Sequence, residues 1–212
     1  MRKKIDSKEL KEILTNTYKV INDNYIDTFR KLDAEIGDGD LGITISKSNN
    51  AMIKKLEELE IEDIGIILRK CGMECMEANP STFGMLLETA FMEGGKTVKG
   101  KTEIDLSDIH SIFEAAEKGI MKRGKAGLGE KTMLDALNPA VEALKKAADE
   151  DLSIEEAAEL SQKAAEEGMN RTKEMMATKG RAKAFAERTV GELDPGATVI
   201  FYFFKEINNS LK

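Results

Sequence analysis

Leu10, Ile13, Leu14, Tyr18, Ile21, Tyr25, Phe29 and Leu32 recur at intervals of three and four residues. That spacing places them on one face of an amphipathic helix starting near Ser7. The same periodicity, broken by glycines and acidic turns, predicts seven further helices over 41–59, 62–78, 82–98, 107–123, 131–148, 153–178 and 195–210.

Several of these helices carry their own start signals. Ser107 and Ser153 offer hydroxyls as caps, and Ser153 with Glu156 has capping-box spacing, in which side chain and backbone satisfy each other's free amides. Asp194-Pro195 reads as a cap followed by proline at the first helical position, where the missing N–H is not needed. The run from Ala197 to Phe204 is rich in β-branched and aromatic residues and has strand propensity, but its cap and the lack of partner strands favour a helix. With three prolines, no Gly/Ser-rich linker and no internal repeat, the chain reads as one all-α domain over 1–212.

Composition narrows the function classes. The 212 residues are 41% hydrophobic and 33% charged, the balance of a globular chain rather than a disordered one. Lys and Arg total 32 against 39 Asp and Glu, a net charge of −7 that repels nucleic-acid backbones, and no basic patch argues otherwise. The start MRKKIDSKELKEIL turns polar where a secretory core would lie, and the apolar stretches are too short to span a bilayer, so a cytoplasmic, membrane-free protein is expected. Cys71 and Cys75 fit neither a disulfide framework nor a four-ligand zinc site and read as buried thiols. A single histidine, His110, excludes a His-rich metal cluster. Chemistry therefore falls to carboxylates, backbone amides, Lys, Arg or a partner's residues.

The most unusual segment is Leu32-Asp33-Ala34-Glu35-Ile36-Gly37-Asp38-Gly39-Asp40-Leu41-Gly42, where four carboxylates and three glycines separate two helices. Crowded carboxylates repel, so a hard cation such as Mg²⁺ is their natural compensator, and the glycines permit tight turns and close approach of a ligand. A Mg²⁺-bridged polyphosphate suits this chemistry, with the helix start at Gly42-Ile43-Thr44 adding free amides and a positive dipole end. The plainer reading is an acidic interhelical turn. An EF-hand does not fit the aspartate spacing. Three other segments are more polar or glycine-rich than a helix bundle needs: Ala78-Asn79-Pro80-Ser81-Thr82-Phe83-Gly84, the stretch from Gly124 to Asp135, and Gly180-Arg181-Ala182 with the following turn to Thr198. The second lacks Walker-loop spacing and a preceding strand. The third offers a cation that can stabilise transferred charge.

Taken in order, LDAEIGDGDLG, GLGEKTMLDALNPA and GRAKAFAERTVGELDPGAT resemble the L subunit of dihydroxyacetone kinase, the nucleotide-binding half of that enzyme family. The resemblance runs from the first helix to the last. It implies an up-and-down barrel of eight antiparallel helices with the nucleotide, ADP or ATP, at one end. It also implies that Asp33, Asp38 and Asp40, but not Glu35, bind two Mg²⁺ ions bridging the phosphates. By the same resemblance Leu41, Gly42, Ile43 and Thr44 face the phosphates, and the family's polar turn at the nucleotide maps to Ala78 and Asn79, with Ser81 and Thr82 as further candidates. Gly124 and Met133 fall around the adenine, and Arg181 and Asp194-Pro195-Gly196 on the loop and helix start that cover the nucleotide.

The resemblance further implies a kinase that works only with a separate K subunit, which holds the sugar covalently on its own histidine. Two Mg²⁺ ions would neutralise phosphate charge and align the phosphoryl group with its acceptor. The donor is either ATP or a resident ADP recharged by a phosphotransferase-system M subunit, and a free-standing chain favours the second. Departures from the family pattern are Leu41 where many members have His, NPSTFG for an SGPLYG-like segment, and Glu130 where Asp is common. They point to a branch acting on another short-chain ketose, a triose or tetrose. Two other readings compete: a nucleotide-binding regulator that signals to a transcription factor, and a helical interaction protein without catalysis. A related helical domain in fatty-acid kinases fits the AEIGDGDLG wording less well.

Overall fold

The computed structural model of the chain describes residues 2–212. Nine α-helices form among the described residues: α1 (Ser7–Asn24), α2 (Ile26–Ile36), α3 (Leu41–Glu58), α4 (Ile64–Ala78), α5 (Thr82–Thr97), α6 (Leu106–Gly124), α7 (Leu134–Asp149), α8 (Ile154–Arg171) and α9 (Pro195–Ser210). The ninth arises because the first expected helix is broken at Tyr25, whose φ of −123° and ψ of −7° leave the helical region. Tyr25 is drawn toward α9, where its ring stacks on Tyr202 with centroids 4.0 Å apart and its hydroxyl donates to Glu206 Oε1 at 2.8 Å. The apolar stripe continues across the break, so α1 and α2 together act as one stave. Each stave packs on the next and α9 packs back on α1, closing an up-and-down barrel of eight staves. The staves enclose an apolar cavity of about 190 Å³ along the barrel axis, lined by side chains such as Leu14, Phe91, Phe113 and Phe203.

Capping sets most boundaries. Ser153 and Glu156 form the expected capping box. Asp194 accepts from the Ala197 amide at 2.7 Å with Pro195 at the first helical position, and the β-prone run after it is helical. Ser107 does not cap: Asp105 does, in a box with Asp108, so α6 begins one residue earlier. Two short strands escaped the periodicity, β1 (Lys4–Asp6) and β2 (Glu103–Asp105), paired antiparallel with Ile5 opposite Ile104. Three residues are too few to show alternation, and the pairing is wholly non-local.

Two helix ends differ by more. The expected 131–148 helix starts at Leu134, because Asp135 turns back to accept from the Gly129 and Thr132 amides and Lys131 is left-handed at φ 59°. The expected 153–178 helix ends at Arg171. There the Thr172 hydroxyl donates to the Met169 carbonyl and accepts from the Asp194 amide, diverting the chain into a strap, residues 172–194, with 3-10 turns at Thr172–Glu174 and Arg181–Thr189.

Within α7, Pro139 supplies no N–H to the Asp135 carbonyl four residues back. Gly168 of α8 closes on that carbonyl, where an added Cβ would come within 2.3 Å. Cys71 and Cys75 are free and buried in α4, as expected. No helix among the described residues is long and apolar enough to cross a membrane. The alternation of directions gathers the α2–α3, α4–α5, α6–α7 and α8–α9 connections at one end of the barrel.

Candidate functional site

The acidic loop is folded by its own residues. Asp33 lies in the last turn of α2, Asp38 in the loop and Asp40 at the start of α3. Gly37 crosses directly over Asp33: a Cβ there would lie 2.2 Å from Asp33 Oδ1 and 2.7 Å from its carbonyl oxygen. Gly39 turns the chain at φ 75°, a conformation that glycine adopts without steric penalty. Asp33 Oδ2 accepts from the Leu41 amide at 3.1 Å, tying the end of α2 to the start of α3. As a result one carboxylate oxygen from each of Asp33, Asp38 and Asp40 lies within 4.8 Å of the others. Glu35 is exposed and outside the cluster. Burial and the Asp33 charge raise the Asp40 pKa above its ordinary value. Arg181 of the strap pairs with both Asp38 and Asp40, donating from Nη1 to Asp40 Oδ2 at 3.1 Å. Three converging hard oxygens fit a Mg²⁺-class cation in ligand type and charge.

Behind the cluster a cleft of about 260 Å³ opens between the four connections. Of the residues expected at a site, Asp33, Asp38, Asp40, Leu41, Thr44, Ser81, Thr82, Gly124, Met133, Arg181, Asp194, Pro195 and Gly196 line it together. Four do not. Gly42 is turned onto α2, where a Cβ would meet the Ile26 carbonyl at 2.7 Å, and Ile43 is 53% exposed on the outer surface. Ala78 ends α4 outside the lining, and Asn79 reaches the cleft only through Thr44, donating from Nδ2 to Thr44 Oγ1 at 2.7 Å. The helical phase of α3 explains the pattern: Leu41 and Thr44 share a face three residues apart, and the two between them point elsewhere.

The other walls are held as firmly. Ser81 caps α5 through its hydroxyl, which accepts from the Gly84 amide at 3.0 Å. Asp135 takes the Gly129 and Thr132 amides at 2.5 and 2.8 Å, and Glu130 takes the Gly127 amide at 2.6 Å, so the loop before α7 is bonded internally. Gly196 sits against Met133, with space for a Cβ only at 3.3 Å from the Met133 Cβ. Asp194 is buried, and burial pushes its carboxyl up to about 7 although the Ala197 amide and Lys131 draw it down. Sequence reasoning missed an apolar wall of Phe83, Leu86, Ile120 and Ala126, and the cations Lys131 and Lys179. Phe83 and Leu86, three apart, and Ile120, four before Gly124, were within reach of helical-phase reasoning from the residues already singled out. Lys131 carried no local signal.

In the arrangement as a whole, a carboxylate cluster faces an open cleft whose far wall is apolar, with a helix start at its floor and a guanidinium on the strap beside it. It can hold a hydrated divalent cation at its mouth, anionic oxygens beside that cation, and a flat apolar group deeper in.

Comparison with known proteins places the chain in a family. The DAK2 domain matches residues 35–209. The ADP-binding subunit DhaL of the PEP-dependent dihydroxyacetone kinase from Escherichia coli is 33% identical over 174 residues, covering 82% of this chain and 83% of its own. The corresponding subunit of dihydroxyacetone kinase 1 from Listeria innocua is 38% identical over 166 residues, 78% of each chain. The crystal structure of the C. freundii dihydroxyacetone kinase in its native form superposes with a TM-score of 0.74 at 22% identity, over 96% of this chain and 34% of that one, a likeness of fold. With profile, sequence and fold in agreement over most of its length, the chain belongs to the DAK2 domain family, among the L subunits of dihydroxyacetone kinases.

Proposed function

We propose that the chain is the nucleotide-binding subunit of a dihydroxyacetone-type kinase, acting as one domain over residues 1–212 in the cytoplasm. ADP or ATP occupies the cleft, and a phosphoryl group passes to dihydroxyacetone or a related short-chain ketose held on a histidine of a separate K subunit. The observation that carries this reading is the convergence of Asp33, Asp38 and Asp40 oxygens within 4.8 Å at the mouth of the cleft. Two Mg²⁺ ions bound there would supply charge neutralisation and in-line positioning of the phosphoryl group.

The chain's own residues do the rest. Asp33 would both ligate and orient, since its Oδ2 also holds the Leu41 amide and so fixes the helix start. Thr44, 2% exposed and braced by Asn79, presents its hydroxyl at the cleft floor. Phe83, Leu86 and Met133 form a dry wall for the base. Arg181, which donates to Asp40 at the mouth of the cleft, is the cation assigned to the charge that develops during transfer, where it would favour the transition state over the ground state. A relative named as a PEP-dependent kinase subunit supports a resident ADP recharged by a phosphotransferase-system M subunit as the donor scheme.

The test is the melting temperature of the chain with ADP or ATP, each with Mg²⁺ or with chelator, because a ligand bound only by the folded state stabilises it by mass action. A rise that requires nucleotide and Mg²⁺ together is expected, abolished in Asp38→Ala and Asp40→Ala with helix content unchanged. Absence of any shift in protein shown to be nucleotide-free would sink the proposal.

A further inference from the structure

One buried cation in the cleft is left unused by this account. Lys131 is 1% exposed, yet its Nζ donates to two carbonyls from separate parts of the chain, Thr172 at 2.5 Å and Glu192 at 2.6 Å. Those carbonyls are the two roots of the strap, one directly after α8 and one just before the cap of α9. Withdrawing an ammonium from water is unfavourable unless its protons are bonded and opposite charge is close. Here the carbonyls satisfy the first condition, and Glu192 and Asp135, joined by Asp194 where it is ionised, provide the second. Left-handed backbone at a non-glycine residue adds a further penalty, and Lys131 adopts φ 59°. A residue that carries both penalties is held there by its surroundings and holds them in turn.

The rest of the strap is built outward from this point. The Gly191 amide donates to the Lys173 carbonyl at 2.8 Å, and the Ala177 amide to the Thr189 hydroxyl at 2.9 Å, so the two limbs are paired above the roots. The tip then brings Arg181 to Asp38 and Asp40. Thr172, whose carbonyl Lys131 holds, also receives the Asp194 amide at 2.9 Å, and so the same anchor fixes the start of α9 beside Met133.

We propose that Lys131 is a positioning residue for the nucleotide cleft: a single ammonium, bonded to both roots of the strap, fixes Arg181 over the aspartates and the α9 start against the opposite wall. The proposal rests on the nucleotide reading above for its consequence, and on the hydrogen bonds alone for its geometry.

Two variants of the full chain test it. Lys131→Met keeps the aliphatic bulk without the charge, and Lys131→Arg keeps the charge. In hydrogen–deuterium exchange without ligand, Lys131→Met is expected to speed exchange at Ala177, Gly191 and Asp194 by about tenfold or more while α4 and α5 keep their protection. Calorimetry with Mg²⁺ and ADP should show a dissociation constant raised about tenfold, because small misplacements of a site are felt strongly. Lys131→Arg should recover most of both effects. Unchanged strap protection in Lys131→Met overturns the proposal, as does acceleration shared equally with α4 and α5, the signature of general destabilisation. If Lys131→Met does not fold, the wild-type chain decides: Gly191 and Asp194 must exchange far more slowly than Ala182 to Phe185, and equal rates overturn the anchor. A wild-type chain that binds no ADP removes the nucleotide reading, while the exchange result judges the anchor separately.

Discussion

Arg181 donates to Asp40 Oδ2 at 3.1 Å across 141 residues of sequence, so the tip of the strap closes on the start of α3. Both side chains are about half exposed, 49% and 50%, and a pair of this kind adds only about 0–1 kcal/mol to stability. On the proposed function its value lies in placement. Arg181→Ala should therefore leave the melting temperature nearly unchanged and the ADP dissociation constant within about threefold. Phosphoryl transfer with a K partner should fall by about 10²–10³, the range for removing a fixed group that stabilises transferred charge. Steady-state kinetics beside calorimetry separates the two, and equal losses in binding and turnover would count against the transfer role.

Gly37 offers a sharper test of the acidic loop than the aspartates do. A methyl group there would overlap Asp33 Oδ1 at 2.2 Å, so Gly37→Ala must shift Asp33 or the loop without removing a ligand. A displacement of about 1 Å at a positioned group costs on the order of 10²-fold. Gly37→Ala should weaken Mg²⁺-dependent ADP binding by that order while circular dichroism stays unchanged. Gly100→Ala is the control, since Gly100 turns at φ 85° at the far end of the barrel with nothing within 4 Å. It should lose some stability and no affinity.

The parts of this architecture legible in the sequence are those set by neighbours along the chain. Asp194-Pro195 overrode the strand propensity of the run after it because a cap and a proline act within one turn. The carboxylate cluster was readable for the same reason, since eight residues separate Asp33 from Leu41 and one hydrogen bond joins them. What stayed hidden depends on distant partners. The first limb of the strap, residues 172–178, read as the tail of a helix because 155–171 is strongly helical and nothing local announces that the Thr172 carbonyl is held by Lys131, 41 residues earlier. The break at Tyr25 likewise reflects α9, where Tyr202 and Glu206 wait for its ring and hydroxyl. Asn79 donates to Thr44, a contact the sequence could not announce, since a polar residue at a turn looks the same whether it meets a ligand or braces a neighbour.

Tyr25 separates stability from binding. Its hydroxyl donates to Glu206, which is 4% exposed and keeps one other bond, from Asn209 Nδ2 at 3.0 Å. Tyr25→Phe retains the stack on Tyr202 and leaves a buried carboxylate oxygen without its partner, a loss of about 1–3 kcal/mol. Urea unfolding should show that loss with an unchanged slope. Nucleotide affinity should hold, because neither Tyr25 nor Glu206 lines the cleft.

Asp194 gives the barrel a pH dependence with a definite sign. Burial pushes its carboxyl from an ordinary 3.8 up to about 7, against the pull of the Ala197 amide and Lys131, with the Asp135 charge adding to the rise. An acid whose folded value lies above its unfolded one keeps its proton longer in the folded chain. Between 3.8 and about 7 the folded state therefore binds more protons than the unfolded state, and this group's contribution to stability falls as pH rises through that window. Asp194→Asn preserves the cap, since asparagine caps comparably, and removes the titration. The stability of Asp194→Asn relative to wild type should rise from pH 4.5 to about 7 and level off above it, with contributions from other carboxylates cancelling in the difference. Urea titrations of both chains at three or four pH values measure this directly. A difference that stays constant with pH would mean that Asp194 is ionised throughout, held so by Lys131.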